Sequence, residues 1–357
     1  MRVWLATAAL RLGLKRFARG ALALAVVVGV VLPVSGQAQT TVLNLYSARH
    51  YQTDEALYRT FTERTGIRIN RIELADEPLL QRLKSEGANS PADVVLLVDA
   101  ARLWRAQIDG LFQPVDSKVL NERIPADLRA NDGSWFGFST RARVIIYDKA
   151  KVKPQEVDTY EKLAEPVNRG RVCTRSGSHP YMLSLLGAMV ERSGEAAAEK
   201  WARGMVANMA RPPRGGDTDQ IRGVASGECG VALTNSYYWV RLMRSADPKD
   251  REVVSKVGFV WPNQTTSGTH INISGGGVAR HAPHRANAIS FLEYLASPQA
   301  QAYFADGNNE WPVVKGAEVN NPELASLGRY KAESVPVSSI GKGQIAAQRI
   351  LDRVGYR

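Results

Sequence analysis

The chain has 357 residues, with 46 Lys and Arg against 35 Asp and Glu, a formal excess of +11. Five of those cations (Arg2, Arg11, Lys15, Arg16 and Arg19) crowd the N-terminus. Without them 41 basic residues face 35 acidic ones, and an excess of six spread without long runs is no nucleic-acid footprint.

The basic N-terminal stretch carries no acid and runs into ALALAVVVGVVLPV (21–34), then SGQAQT. Its apolar part falls short of the roughly 20 residues of a comfortable membrane span. The pattern reads as an export signal over 1–38, cleaved after Ala38, with an uncleaved N-terminal anchor as the alternative. No later segment is long and apolar enough to cross a bilayer, so a soluble, exported protein is expected. About 320 residues then remain, more than one hydrophobic core usually serves, and two lobes are expected.

From there the elements alternate, which favours α/β. TVLNLYS (41–47) predicts a strand. TDEALYRTFTERTG (53–66) predicts a helix with Thr53 as N-cap, Asp54 and Glu55 in its first turn and Gly66 ending it. IRINRIEL alternates like a half-buried strand, EPLLQRLKSEG reads as a helix, ADVVLLVD as a buried parallel strand and AARLWRAQIDGLF as a helix. SWFGFSTRARVIIYDK (134–149) is a long β-rich stretch, placed to cross from one lobe to the other.

A second α/β unit follows: RVCTR, then SGSHP into the helices YMLSLLGAMVERSG and EAAAEKWARGMVANM, then TDQIRGVASGE and the strand CGVALT. VGFVWPNQTTSGTHINISGGGVAR (257–280) is a second extended return. Its SGGG lacks the lysine of a phosphate-binding loop and reads as a tight turn. Crossings near 139 and 265 would join two lobes by a pair of strands, with a cleft between them. The boundaries expected are 39–138 plus 266–320 for lobe 1 and 139–265 plus 321–357 for lobe 2.

There are two cysteines, Cys173 and Cys229. In an oxidising exported compartment the pair invites a disulfide, the alternative being two buried thiols.

Three loops share one placement. SARHY follows VLNLY, SGSHPY follows RVCT, and NSYY follows GVALT. Ligands of open α/β sheets bind just outside the carboxyl ends of strands. His50, Tyr51, Tyr181, Tyr237 and Tyr238 are therefore placed at a cleft. Single tyrosines at strand ends usually just pack, with the hydroxyl satisfied; the adjacent pair could also stack on a sugar. His179 precedes Tyr181 by two, and the intervening Pro180 leaves its direction open.

Phenols have an ordinary pKa of about 10, and a highly charged cation displaces their protons. Phenolate oxygen is a hard donor suited to Fe(III), whereas a divalent hard cation would more readily use carboxylates, absent from these loops. Three phenolates balance a trivalent ion; a fourth leaves a negative excess that Arg141 or Arg241 could offset.

With those residues in view, the chain resembles the ferric-iron-binding solute receptors of bacterial ABC importers. The resemblance runs through LYSARHYQTDEALYRTFTERTGI, STRARVIIYDK, WARGMVANMARPPRGGDTDQI, SGECGVALTNSYYWVRL, GTHINISGGGVARHAPHRANAISFLEYLASPQAQAYF and GNNEWPVV. It implies a type II periplasmic-binding-protein fold of two α/β lobes on a two-strand hinge, and a cleft holding Fe(3+) mainly by tyrosines. By position, the family's ligands fall on His50, Tyr51, Tyr181, Tyr237 and Tyr238; members differ in whether the histidine coordinates. The family's cleft arginine falls on Arg141, in the second shell or beside a synergistic anion such as carbonate. Relatives commonly have an asparagine-containing loop where this chain has SGSHPY.

The resemblance further implies a periplasmic monomer partnered with an ABC permease and its ATPase in the inner membrane. Two other readings stay beside it. The same fold could bind an organic or anionic solute such as a polyamine, thiamine or a sugar phosphate. An exported hydrolase would need a nucleophile beside a base, and none of the five histidines lies within a motif such as G-x-S-x-G. No enzyme is expected.

Overall fold

The computed structural model describes residues 41–49 and 53–357; the leader, His50 and Tyr51 lie outside the described residues. Among the described residues ten strands join one mixed sheet: β1 (Val42–Ser47), β2 (Arg68–Glu73), β3 (Val94–Leu97), β4 (Phe112–Gln113), β5 (Phe136–Asp148), β6 (Val172–Cys173), β7 (Val231–Asn235), β8 (Val257–Val260), β9 (Ile271–Ala279) and β10 (Trp311–Pro312). The strand order is β2-β1-β3-β9-β5-β7-β6, with β4 added to β9, and β8 and β10 added to β5. β1 runs parallel to β2 and β3, and β6 parallel to β7. β5 and β9 run antiparallel to each other and to every other strand they pair.

β5 organises the molecule. All thirteen of its residues except Tyr147 are buried. As far as Ala142 it pairs with β9; from Arg143 onward it pairs with β7, and from Ile145 with β8. At the changeover the Arg143 amide donates to the carbonyl of His270, 2.9 Å away. Side chains alternate across a strand, so Arg141 and Arg143 share a face. Ile145 and Ile146 accordingly enter different apolar clusters.

The largest cluster gathers residues of β1, β3, both ends of β9 and the first half of β5 with residues such as Phe61, Leu103 and Phe291. Ile145 joins Leu186, Trp201 and Leu351, from helices Pro180–Ser193, Glu195–Asn208 and Val337–Val354. Ile146 joins Ile221, Trp239 and Leu242, from helices Asp217–Ala225 and Ser236–Met243.

Three local expectations change. Thr53 stands at the N-cap of helix Asp54–Thr65 but makes no capping bond; its hydroxyl pairs with the Asn308 side chain instead. The glycines of SGGG are no turn: Gly275, Gly276 and Gly277 lie inside β9. A Cβ at Gly276 would collide with Leu96 and the Val95 carbonyl, so neighbouring backbone, not chain reversal, demands glycine there. Finally, β7 ends at Asn235 and a helix starts at once, so Tyr237 and Tyr238 are helical rather than loop residues.

Cys173 and Cys229 form a disulfide with Cα atoms 5.8 Å apart. Cys173 ends β6 and Cys229 lies two residues before β7, and these strands are parallel neighbours.

Candidate functional site

Tyr181 stands in the first turn of helix Pro180–Ser193, where Pro180 occupies a position that needs no donor. His179 caps that helix: its Nδ1 accepts the Tyr181 amide at 3.2 Å, and its ring meets the Tyr181 ring edge-on, centroids 4.4 Å apart. Burial, followed by the guanidiniums of Arg175, Arg143, Arg102 and Arg141, pushes the imidazole down to about 3. A neutral ring is what a cap requires, since the accepting nitrogen must be unprotonated.

Tyr237 and Tyr238 open helix Ser236–Met243 directly beyond the carboxyl end of β7. Tyr237 is buried and Tyr238 half-buried. Their rings lie 4.2 Å apart at an interplanar angle of 31°. The Tyr237 hydroxyl is 2.9 Å from that of Tyr181, so two phenol oxygens 56 positions apart in the chain meet at one point. One helical turn further on, the guanidinium of Arg241 lies 5.3 Å from the Tyr238 ring and 5.8 Å from the Tyr237 ring. Arg241 is otherwise exposed.

Cations also surround Tyr181. Guanidinium carbons of Arg175, Arg141 and Arg143 lie 5.0, 5.7 and 5.8 Å from its ring, within cation–π range. Arg141 is buried, and its Nη1 donates to the Ser274 hydroxyl at 3.2 Å. Arg143 is equally buried and donates to Asp217 at 2.7 Å. Arg143, Arg175 and Asp217 escaped the sequence reading. The alternation in RAR was the available signal for Arg143; an ion pair spanning 74 positions leaves none.

The segment holding His50 and Tyr51 is flanked by tightly held residues. Arg49 forks onto Asp54 through bonds of 2.8 and 3.1 Å. Three residues beyond Tyr181, the Ser184 hydroxyl donates to Asp99, whose carboxylate also accepts from Asn272 at 2.8 Å. The tyrosine-bearing helix is thereby tied to the end of β3 and to β9. Among the described residues no group of three or more His, Cys, Asp or Glu side chains is placed to hold a metal ion.

The bacterial extracellular solute-binding protein model matches residues 56–331. The chain belongs to that family. This solute-binding protein is 48% identical over 345 residues to iron uptake protein A2 of a Synechocystis species, covering 96% of the chain and 98% of the relative. A Trichodesmium structure in complex with iron and citrate is 52% identical with a TM-score of 0.84, covering 88% of this chain and all of that one. The ferric binding protein of Campylobacter jejuni is 39% identical, also at 0.84, with 88% and 100% covered. The fold is thus the type II periplasmic-binding-protein fold, α/β with a mixed sheet.

Proposed function

We propose that this protein binds ferric iron through tyrosine phenolates and hands it to an ABC importer. Its relatives include two iron uptake proteins and a ferric iron-binding protein, a similar solved structure holds iron and citrate, and the site's chemistry agrees. It is a carrier and not an enzyme.

The observation that carries the tyrosine assignment is the 2.9 Å approach of the Tyr181 and Tyr237 hydroxyls, with the Tyr238 ring tilted against that of Tyr237. Two phenols sharing a hydrogen bond present one oxygen lone-pair region to a small hard ion. Tyr237 offers an organic solute little ring to stack on, because it is buried and lies against Tyr238. The cations about the rings offset the charge of a fourth phenolate. Tyr51 and His50 complete the ligand set in this reading, with Arg141 and Arg241 outside it or beside a small anion.

The two lobes are residues 39–138 plus 266–320 and residues 139–265 plus 321–357. The second apolar cluster lies wholly within 139–265 plus 321–357 and most of the first within 39–138 plus 266–320, which supports that division, while Ala188, Val337 and Ile340 pack with the first cluster across it. The place of work is the periplasm, reached by the cleavable leader. The partner is an inner-membrane permease with its ATPase, engaged by a monomer.

Incubating the purified chain with a ferric salt tests the reading. A visible phenolate-to-iron charge-transfer band is expected, lost in the Tyr237→Phe, Tyr238→Phe double variant. A colourless wild-type protein, or a band untouched by the double substitution, contradicts the assignment.

A further inference from the structure

Helix Asp217–Ala225 opens with two carboxylates that do different work. Asp219 serves the helix end itself: it accepts the amide of Gly216 at 2.7 Å. Asp217 is therefore released from capping, and it is turned inward and fully buried. Burying a carboxylate is costly unless strong donors meet it. Three do, from three separate segments. Arg143 of β5 donates Nη1 at 2.7 Å and Arg175 donates Nη1 at 3.4 Å, while the backbone amide of Asn235 donates at 2.6 Å.

Each donor stands beside a phenol. Arg175 lies in the loop that leads to Tyr181, with its guanidinium 5.0 Å from that ring. Asn235 is the last residue of β7, two positions before Tyr237. Arg143 lies 5.8 Å from the same Tyr181 ring and also donates to the Asn235 side chain at 3.2 Å. No backbone hydrogen bond joins the loop 174–179 directly to the start of helix Ser236–Met243 in the described residues. The shared carboxylate makes that connection.

We propose that Asp217 is a positioning residue for the iron site: one buried carboxylate, gripping Arg143, Arg175 and the Asn235 amide, sets the distance between the Tyr181 oxygen and the Tyr237–Tyr238 pair. The inference rests on the tyrosine reading above. Outer partners of metal ligands commonly change metal affinity by about 10–100-fold, and the same scale is expected here. Asp217→Asn keeps the volume and an acceptor for the amide but loosens both guanidiniums. Arg175→Gln opens only one arm, at a partly exposed side chain, and serves if the first variant does not fold.

Both variants are loaded with ferric salt to saturation. The charge-transfer band is recorded, and iron loss to a competing chelator is timed beside the melting temperature. A shifted or weakened band together with iron loss about 10–100-fold faster in Asp217→Asn, and a smaller change of the same kind in Arg175→Gln, is expected. A purely structural role would lower the melting temperature while leaving band and loss rate at wild-type values, and that result overturns the inference alone. No band in the wild-type protein overturns the tyrosine reading and the inference with it.

Discussion

A phenol surrounded by apolar groups holds its proton harder than one in water, and several tyrosines here show it. Burial pushes Tyr58, Tyr160, Tyr330 and Tyr356 well up, and Tyr294 to about 12. Below pH 10 these groups are neutral folded or unfolded. Above it the unfolded chain releases their protons while the folded one keeps them, so stability falls by up to ~1.4 kcal/mol per pH unit for each phenol. Denaturant midpoints should therefore drop steeply above pH 10, while those phenols titrate only as the chain unfolds; early titration of all of them in folded protein contradicts this. Tyr181 differs in having three guanidiniums around its ring. Tyr237→Phe removes one oxygen of the 2.9 Å pair and no packing volume. It should leave the melting temperature nearly unchanged yet weaken iron retention beyond the ~10–100-fold typical of an outer partner, read by chelator competition. Because phenolates must be deprotonated to bind, retention should also fall as pH is lowered. At this scale Tyr181, Tyr237 and Tyr238 could be singled out in the sequence as candidates beyond strand ends, and the structure brings the three together. Asp217 and its arginines could not be, because partners 42 and 74 positions apart leave no local periodicity.

Among the elements, strand runs and amphipathic helices were readable from period alone, but what demands glycine was not. SGGG looks like a turn until the flanking strands are in place, and only then do backbone neighbours exclude a side chain. The same logic applies where helix Val337–Val354 crosses helix Pro180–Ser193. A Cβ at Gly343 would run into the carbonyl of Gly187. Gly343→Ala should cost about 1–3 kcal/mol by overpacking, measured by urea unfolding; an unchanged midpoint would mean the helices separate freely. The start of helix Ser236–Met243 differs from the sequence reading, which ends the strand at CGVALT and places NSYY in a loop; eight residues with two adjacent tyrosines in the first turn carry little helical periodicity of their own. Between β6 and β7 the disulfide closes a separation of 56 positions. Chain entropy gives it about 4 kcal/mol. A Cys173→Ser, Cys229→Ser variant should melt markedly lower while taking up iron with the same colour at room temperature.

For the whole molecule, β5 changes partner between Ala142 and Arg143, and the His270 carbonyl that takes the Arg143 amide stands just before β9; the proposed lobes would turn against each other there. If ligands come from both lobes, neither half alone is a good site, and closure and affinity are coupled. Small-angle scattering should show the radius of gyration shrink on iron addition, and the Tyr237→Phe, Tyr238→Phe variant should fail to shrink. Contraction in that variant would separate closure from the phenols. Chain length and the two extended crossings in the sequence suggest two lobes, but the exact changeover in β5 depends on register, which sequence does not state. The most direct measurement is anomalous diffraction at the iron edge from crystals of the loaded protein. One ion in contact with the phenol oxygens of Tyr51, Tyr181, Tyr237 and Tyr238 is expected; an iron peak that these oxygens do not approach contradicts the proposal.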